Sequence, residues 1–230
     1  MIAALLLGVL VLVAPAKAPV PVRELPPEVV LLRYAAALAE LSAPKAVSFD
    51  YTLEQTGRRA RVETHRIFRS GLDERDEILS SEGRPLTAPI IRIFRGRRDR
   101  YTVAALAPRL EQYDFTYAGP HRDGHHIDYV FRLDAKKPGP FTLTEVVIDG
   151  LKFLPHTVRF TTSANGGSGS VSFDGFERWW VATAASARAK VEGGISTEHL
   201  TFHAYRFPTS LPPSTFAVPR PLPTLKPSAF

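Results

Sequence analysis

The chain has 230 residues, 44% of them hydrophobic, with no cysteine and a formal charge of +6. A length in this range fills one domain with one large core, and the missing cysteine excludes disulfides, a thiol nucleophile and the bacterial lipid-attachment signal. The basic excess is spread along the chain rather than gathered into a stripe, which does not describe a nucleic-acid-binding surface.

Residues 1–18, MIAALLLGVLVLVAPAKA, read as a secretory signal peptide: an apolar run from Ile2 to Val13, then small residues ending at Ala16 and Ala18, with cleavage near Ala18. The run is short for a membrane span of about 20 residues. Pro26 to Leu41 follows as an amphipathic helix, with Pro27 and Glu28 at its start and Val30, Tyr34, Leu38 and Leu41 on one stripe. Pro44 stops it. From there the period changes to two: Val47, Phe49, Tyr51 and Leu53 alternate with polar residues, as a half-buried strand requires.

The alternation recurs in ARVETHRIFRS, ERDEILSSE, PIIRIF and, across Gly96, RYTVAAL, then in QYDFTYAG, HIDYVFRL, FTLTEVVI, PHTVRFTTS, GSVSFDGFERWW and ISTEHLTFHAYRF. Glycines sit between these segments, at the spacing of hairpins. The pattern predicts 10–12 antiparallel strands. LAPRLEQY fits a helical turn, and VATAASARAKV is helical by alanine propensity yet lies where a strand belongs. The proline-rich stretch from Pro208 predicts extended chain, with Phe216 and Val218 able to pin its first half and residues 220–230 left as a tail.

A barrel of about eight strands is just filled by its own side chains. A larger curved sheet covered by one helix leaves an apolar pocket, unless it flattens onto the helix or folds into a sandwich. Candidate ligand contacts are the inward residues of the cleanest strands, Phe49, Tyr51, Leu53, Tyr129, Phe131, Phe160 and Trp180, with Val30, Tyr34 and Leu38 of the helix as lid or plug. Each has ordinary core packing as its alternative.

The hairpin EVVIDGLKFLPHTVRF joins a strand ending near Asp149 to a link carrying Leu154 and Pro155, then a strand with Val158 and Phe160. With the later FERWWVAT and the closing SLPPSTFAVP, which carries Phe216 and Pro219, the chain resembles the LolA/LolB-like superfamily over residues 26–220. That superfamily includes periplasmic lipoprotein carriers, lipid-binding lipoproteins and RseB-type sensor domains. The resemblance implies a mainly β fold in residues 19–219: a large curved antiparallel sheet forming an unclosed β-barrel covered by the N-terminal helix. It also implies a periplasmic or secreted, monomeric binding protein, not an enzyme, without a cofactor. Its partner would be a lipid or acylated ligand, delivered to a membrane surface or a membrane protein. The alternative within the same group is a sensor or scaffold domain that grips a protein partner through the open sheet.

Other chemistry is less supported. His121, His125 and His126 lie with Asp123 and Asp128 in GPHRDGHHIDY, a zinc- or copper-like set. Glycine and proline mark a turn there, and adjacent strand residues face opposite sides, so no metal site is predicted. His65 and His156 stand isolated in the sequence, and no Gly-x-Ser-x-Gly elbow or phosphate loop is present. Asp73, Glu74, Asp76 and Glu77 read as a solvated strand edge. Arg95, Arg97, Arg98 and Arg100 read as a hairpin tip, or as a dock for anionic headgroups.

Overall fold

The computed structural model describes residues 24–57, 60–97, 99, 101–124, 126–163, 166–192 and 194–217. The signal segment, Arg98, Arg100, His125, Val218, Pro219 and the tail 220–230 lie outside these residues. Among the described residues, no helix is long and apolar enough to cross a membrane.

The chain opens with α1 (Pro27–Glu40), within one residue of the helix predicted. Eleven strands follow: β1 (Ala46–Thr56), β2 (Arg61–Ser70), β3 (Asp73–Ser81), β4 (Arg84–Phe94), then the short α2 (Val103–Leu106), β5 (Tyr113–Asp123), β6 (His126–Ala135), β7 (Phe141–Asp149), β8 (Pro155–Thr162), β9 (Gly167–Phe176), β10 (Trp179–Val191) and β11 (Gly194–Arg206). A 3-10 turn, Pro213–Phe216, ends the described chain and buries Phe216.

All eleven strands form one sheet in the order β4-β3-β2-β1-β11-β10-β9-β8-β7-β6-β5, and the sheet does not close into a barrel. Sequence neighbours pair antiparallel throughout, except that β4 and β5 occupy opposite edges while β11 returns to β1. The connection from β4 to β5, residues 95–112, must therefore cross the sheet from edge to edge. It does so as a strap over the concave face, pinned midway by a single bridge between Thr102 and Val181 of β10.

The alternation predicts the inner face well. Phe49, Tyr51 and Leu53 of β1 and Ile127, Tyr129, Phe131 and Leu133 of β6 all join one buried core. Helix α1 lays Val30 and Tyr34 into it over the β5–β8 wing. The Tyr34 ring lies 6.0 Å from Phe115, its hydroxyl donates to the Pro108 carbonyl at 2.7 Å, and the Leu25 amide donates to the Tyr129 hydroxyl at 3.0 Å.

Three segments differ from the sequence reading, and a fourth, VATAASARAKV, resolves a reading left open. RYTVAAL is not a strand of the sheet; it carries the strap and α2, because β4 and β5 lie at opposite edges and the chain between them must cross the concave face rather than continue the ladder. GSVSFDGFERWW is two strands divided by a turn at Glu177 and Arg178. VATAASARAKV is strand, since ladders to β9 and β11 on both sides outweigh alanine's helical preference. β3 is not an edge: β2 and β4 flank it, so Glu74 and Asp76 face inward and are buried while Asp73 and Glu77 face out.

Candidate ligand-binding site

The strap and the end of α1 roof an opening over the middle of the sheet. Its floor is Phe49 of β1, Val181 and Trp180 of β10 and Tyr205 of β11, and its rim includes Leu41 to Pro44, Trp179, Phe207, Arg69 and Arg178. The enclosed volume is about 110 Å³, open to solvent on one side. Across Tyr101 a second space of about 370 Å³ runs over Tyr51, Leu53, Val171, Ala185, Leu200 and Phe202, with Arg61 and Glu198 at its mouth. Tyr101 belongs to the wall of both.

Tyr101 is held by aromatic and polar contacts together. Its ring meets Phe49 edge-on at 4.9 Å and Phe202 at 6.3 Å, and its hydroxyl lies 3.4 Å from Glu74. Such ring pairs contribute about 0.5–1.5 kcal/mol beyond the area they bury. The Tyr101 amide donates to Asp99, as does the Thr102 hydroxyl. Glu74 is 0% exposed and accepts from Arg69 at 3.1 Å and from Arg97 at 2.8 Å. A buried carboxylate needs such partners, because desolvating it unpaired is costly. The arginine cluster around Gly96 is thus not a free hairpin tip: Arg97 clamps the start of the strap onto β3, and Arg95 pairs with Asp73 while donating to the Phe216 carbonyl.

A bulge aims Tyr205. Between Ser48↔Arg206 and Asp50↔His203 the strand β11 has one residue more than β1, and Ala204 there adopts a φ of 56°. The bulge lets Phe202 and Tyr205, three apart, both face inward. The Tyr205 hydroxyl donates to the Ala182 carbonyl at 2.7 Å. Burial, then the nearby Tyr101 and Asp99, pushes its phenol above its ordinary value near 10, so it stays a neutral donor in the wall.

The structure brings four of the sequence candidates to these openings: Phe49 and Trp180 to the first, Tyr51 and Leu53 to the second. Tyr129, Phe131 and Val30 are packed into the core away from both, and Phe160 packs against Phe141 at 4.8 Å. Tyr34 and Leu38 flank a separate shallow groove with Arg109 and Glu111. Sequence reading missed Tyr101, Val181, Phe202, Tyr205 and Phe207. A signal existed for one of them: in LTFHAYRF, two aromatics three apart in a strand can share a face only through a bulge. His65 is not isolated; its ring stacks on Tyr51 at 4.5 Å and bonds Asp76 at 2.8 Å.

An unclosed antiparallel sheet, one covering helix and a strap across the concave face define an open-barrel fold class. Within it, the chain is similar to a LolA superfamily protein from Nitrosomonas europaea, at 12% identity over 81% of this chain and 97% of that one, with a TM-score of 0.43. It is also similar to a domain named for outer membrane lipoprotein sorting from Vibrio parahaemolyticus (11% identity, 81% and 94% covered, TM-score 0.49). A third likeness is to the MucA/MucB complex of Pseudomonas aeruginosa (12% identity, 75% and 92% covered, TM-score 0.25). No protein-family model matches the sequence, and no curated protein matches it.

Proposed function

We propose that the protein is an exported, periplasmic or secreted binding protein, not an enzyme, that holds a lipid, a lipoprotein acyl chain or another apolar ligand on the concave face of its sheet. The observation that supports this reading is the pair of aromatic-walled spaces that share Tyr101 as a wall. The first alone is smaller than the roughly 300–1,000 Å³ of ordinary ligand pockets. The second, at about 370 Å³, falls at the low end of that range, and a ligand long enough to fill both swings Tyr101 and the strap aside to join them. Burial supplies the affinity, at about 25 cal/mol for each Å² of apolar surface removed from water. The strap is the gate.

The chain has two tryptophans, Trp179 and Trp180, and both line the first opening. Intrinsic fluorescence is thus a local reporter. Titration with a long-chain fatty acid is expected to give a saturable blue shift, and mass spectrometry of a solvent extract of the native protein is expected to find lipid near one per chain. An extract free of lipid together with an unresponsive fluorescence signal defeats the reading and favours a domain that grips a protein partner.

A further inference from the structure

On the convex face, opposite the aromatic openings, three strands bring two histidines and two aspartates to one point. His126 and Asp128 are two apart on β6 and share the face turned away from Ile127, Tyr129 and Phe131. Asp149 is the cross-strand partner of Asp128 on β7. By strict alternation His156 would point elsewhere, but the β7–β8 register slips: Val147 pairs with Thr157 and Ile148 with Pro155, which leaves His156 as the extra residue. A bulge of this kind re-aims a side chain. It turns His156, isolated in the sequence, toward Asp128.

The turn after β7 is built to hold Asp149 in place. One carboxylate oxygen, Oδ1, accepts from the Leu151 and Lys152 amides, which leaves Oδ2 to face His126. Gly150 presses so closely on β6 that a Cβ would fall 2.1 Å from the Ile127 carbonyl oxygen. This fixes the hairpin end against the strand that carries the other donors.

The donor atoms lie close together. His126 Nε2 lies 2.8 Å from Asp128 Oδ1 and 3.1 Å from Asp149 Oδ2, and His156 Nδ1 lies 3.1 Å from Asp128 Oδ2. The donor atoms of His126, Asp128 and His156 all fall within 4.8 Å of one another. Ligands bound at about 2.0–2.2 Å around a tetrahedral zinc stand roughly 3.4 Å apart, so each of these three contacts opens by about 0.3–0.6 Å to admit an ion. Asp128 and Asp149 are 5% and 8% exposed, and among the described residues neither is paired with an arginine or lysine. The imidazoles are about a third and nearly half exposed, which gives an ion a way in from solvent.

We propose that His126, Asp128 and His156, with Asp149 beside them, form a binding site for one divalent transition-metal ion that ties β6, β7 and β8 together on the outer face. Imidazole nitrogen with carboxylate oxygen suits zinc and its first-row neighbours better than calcium or magnesium.

The test is calorimetric titration of the untagged, metal-stripped chain with zinc chloride in a non-chelating buffer, beside His126→Ala, His156→Ala and His203→Ala. The expected result is one ion per chain at micromolar affinity or tighter, weakened by at least about tenfold in the first two variants and unchanged in the third, whose side chain is exposed on β11, far across the sheet from β6. Because His156 is half exposed, its loss should leave the far-ultraviolet dichroism intact, and zinc should raise the melting temperature of the wild type but not of His156→Ala. Absence of saturable binding at tens of micromolar zinc, or equal affinity in the His126, His156 and His203 variants, overturns the assignment.

Discussion

The two wings of the sheet are closed by different physics. Over β5 to β8 the cover is α1, and the joint is apolar: Val30 and Tyr34 join the core that holds Tyr129 and Phe131, the Tyr34 ring lies against Phe115, and the Tyr34 and Tyr129 hydroxyls have partners. Over β1 to β3 the cover is the strap, and the joint is ionic: Glu74 with Arg69, Arg97 and Tyr101, flanked by His65 and Asp76. Apolar packing of matched shape holds without alternatives, whereas a buried ion pair roughly offsets its own desolvation and adds little net stability. On the proposed reading the helix side acts as the wall and the strap side as the latch, and Tyr101 of the strap borders both ligand spaces, whereas the helix contributes only its last residue to the first of them.

The largest expected effects test that division directly. Glu74→Ala strands two arginines at a buried site and should destabilise by about 3–5 kcal/mol, measured by urea unfolding. Phe131→Ala, on the helix wing, should cost a similar amount through its cavity. The two should part company in ligand exchange. Release of a bound fatty acid, followed by tryptophan fluorescence, should quicken in Glu74→Ala and stay unchanged in Phe131→Ala. Equal exchange rates in both would mean that the latch and the wall do not differ.

Tyr101→Ala sharpens the same comparison at about 3 kcal/mol. It removes the side chain that both spaces share as a wall. The variant should therefore gain affinity for long acyl chains relative to short ones, read as the ratio of dissociation constants for an eighteen-carbon and a twelve-carbon fatty acid. A ratio equal to the wild type's would show that the spaces are not joined by moving this residue.

On the helix wing, Tyr34→Phe should cost about 1–2 kcal/mol, because the Pro108 carbonyl loses its donor. The pH dependence gives a second reading. Burial, only partly countered by Arg109, raises the Tyr34 phenol well above its ordinary value near 10. A raised acid holds its proton in the folded chain after the unfolded chain has begun to lose it, so stability is full below about pH 10 and falls above it. Tyr34→Phe should flatten that alkaline decline, while Tyr117 and Tyr205, raised for the same chief reason, continue to contribute to it.

The difference between the wings was only half legible in the sequence. The helix wing announces itself: Val30, Tyr34 and Leu38 repeat every four residues, and Ile127 to Leu133 every two, so local period reports burial. The strap wing hides, because its burial depends on partners far along the chain. GLDERDEI looks solvated until Arg69, Arg97 and His65 are brought beside Glu74 and Asp76. RYTVAAL alternates like a strand, yet its position follows from β4 and β5 lying at opposite edges, a fact of topology that no window of residues contains. Parity also fails wherever a bulge intervenes, which is why Tyr205 and His156 were both missed as members of their clusters.

Such bulges are themselves open to test, at the smallest scale. Ala204 holds a left-handed φ of 56°, a conformation that costs an L-residue about 1–2 kcal/mol and a β-branched one more. Ala204→Val should lose about 1 kcal/mol of stability by urea unfolding. Since Ala204 is exposed, packing does not contribute to that loss. If the bulge is what carries Tyr205 into the floor of the opening, the strain should also loosen Tyr205 and weaken fatty-acid binding, with the alkaline behaviour of Tyr34 untouched. A variant that loses stability and keeps full affinity would place the origin of Tyr205's orientation in its bond to the Ala182 carbonyl and its ring contact with Phe49, not in the backbone of β11.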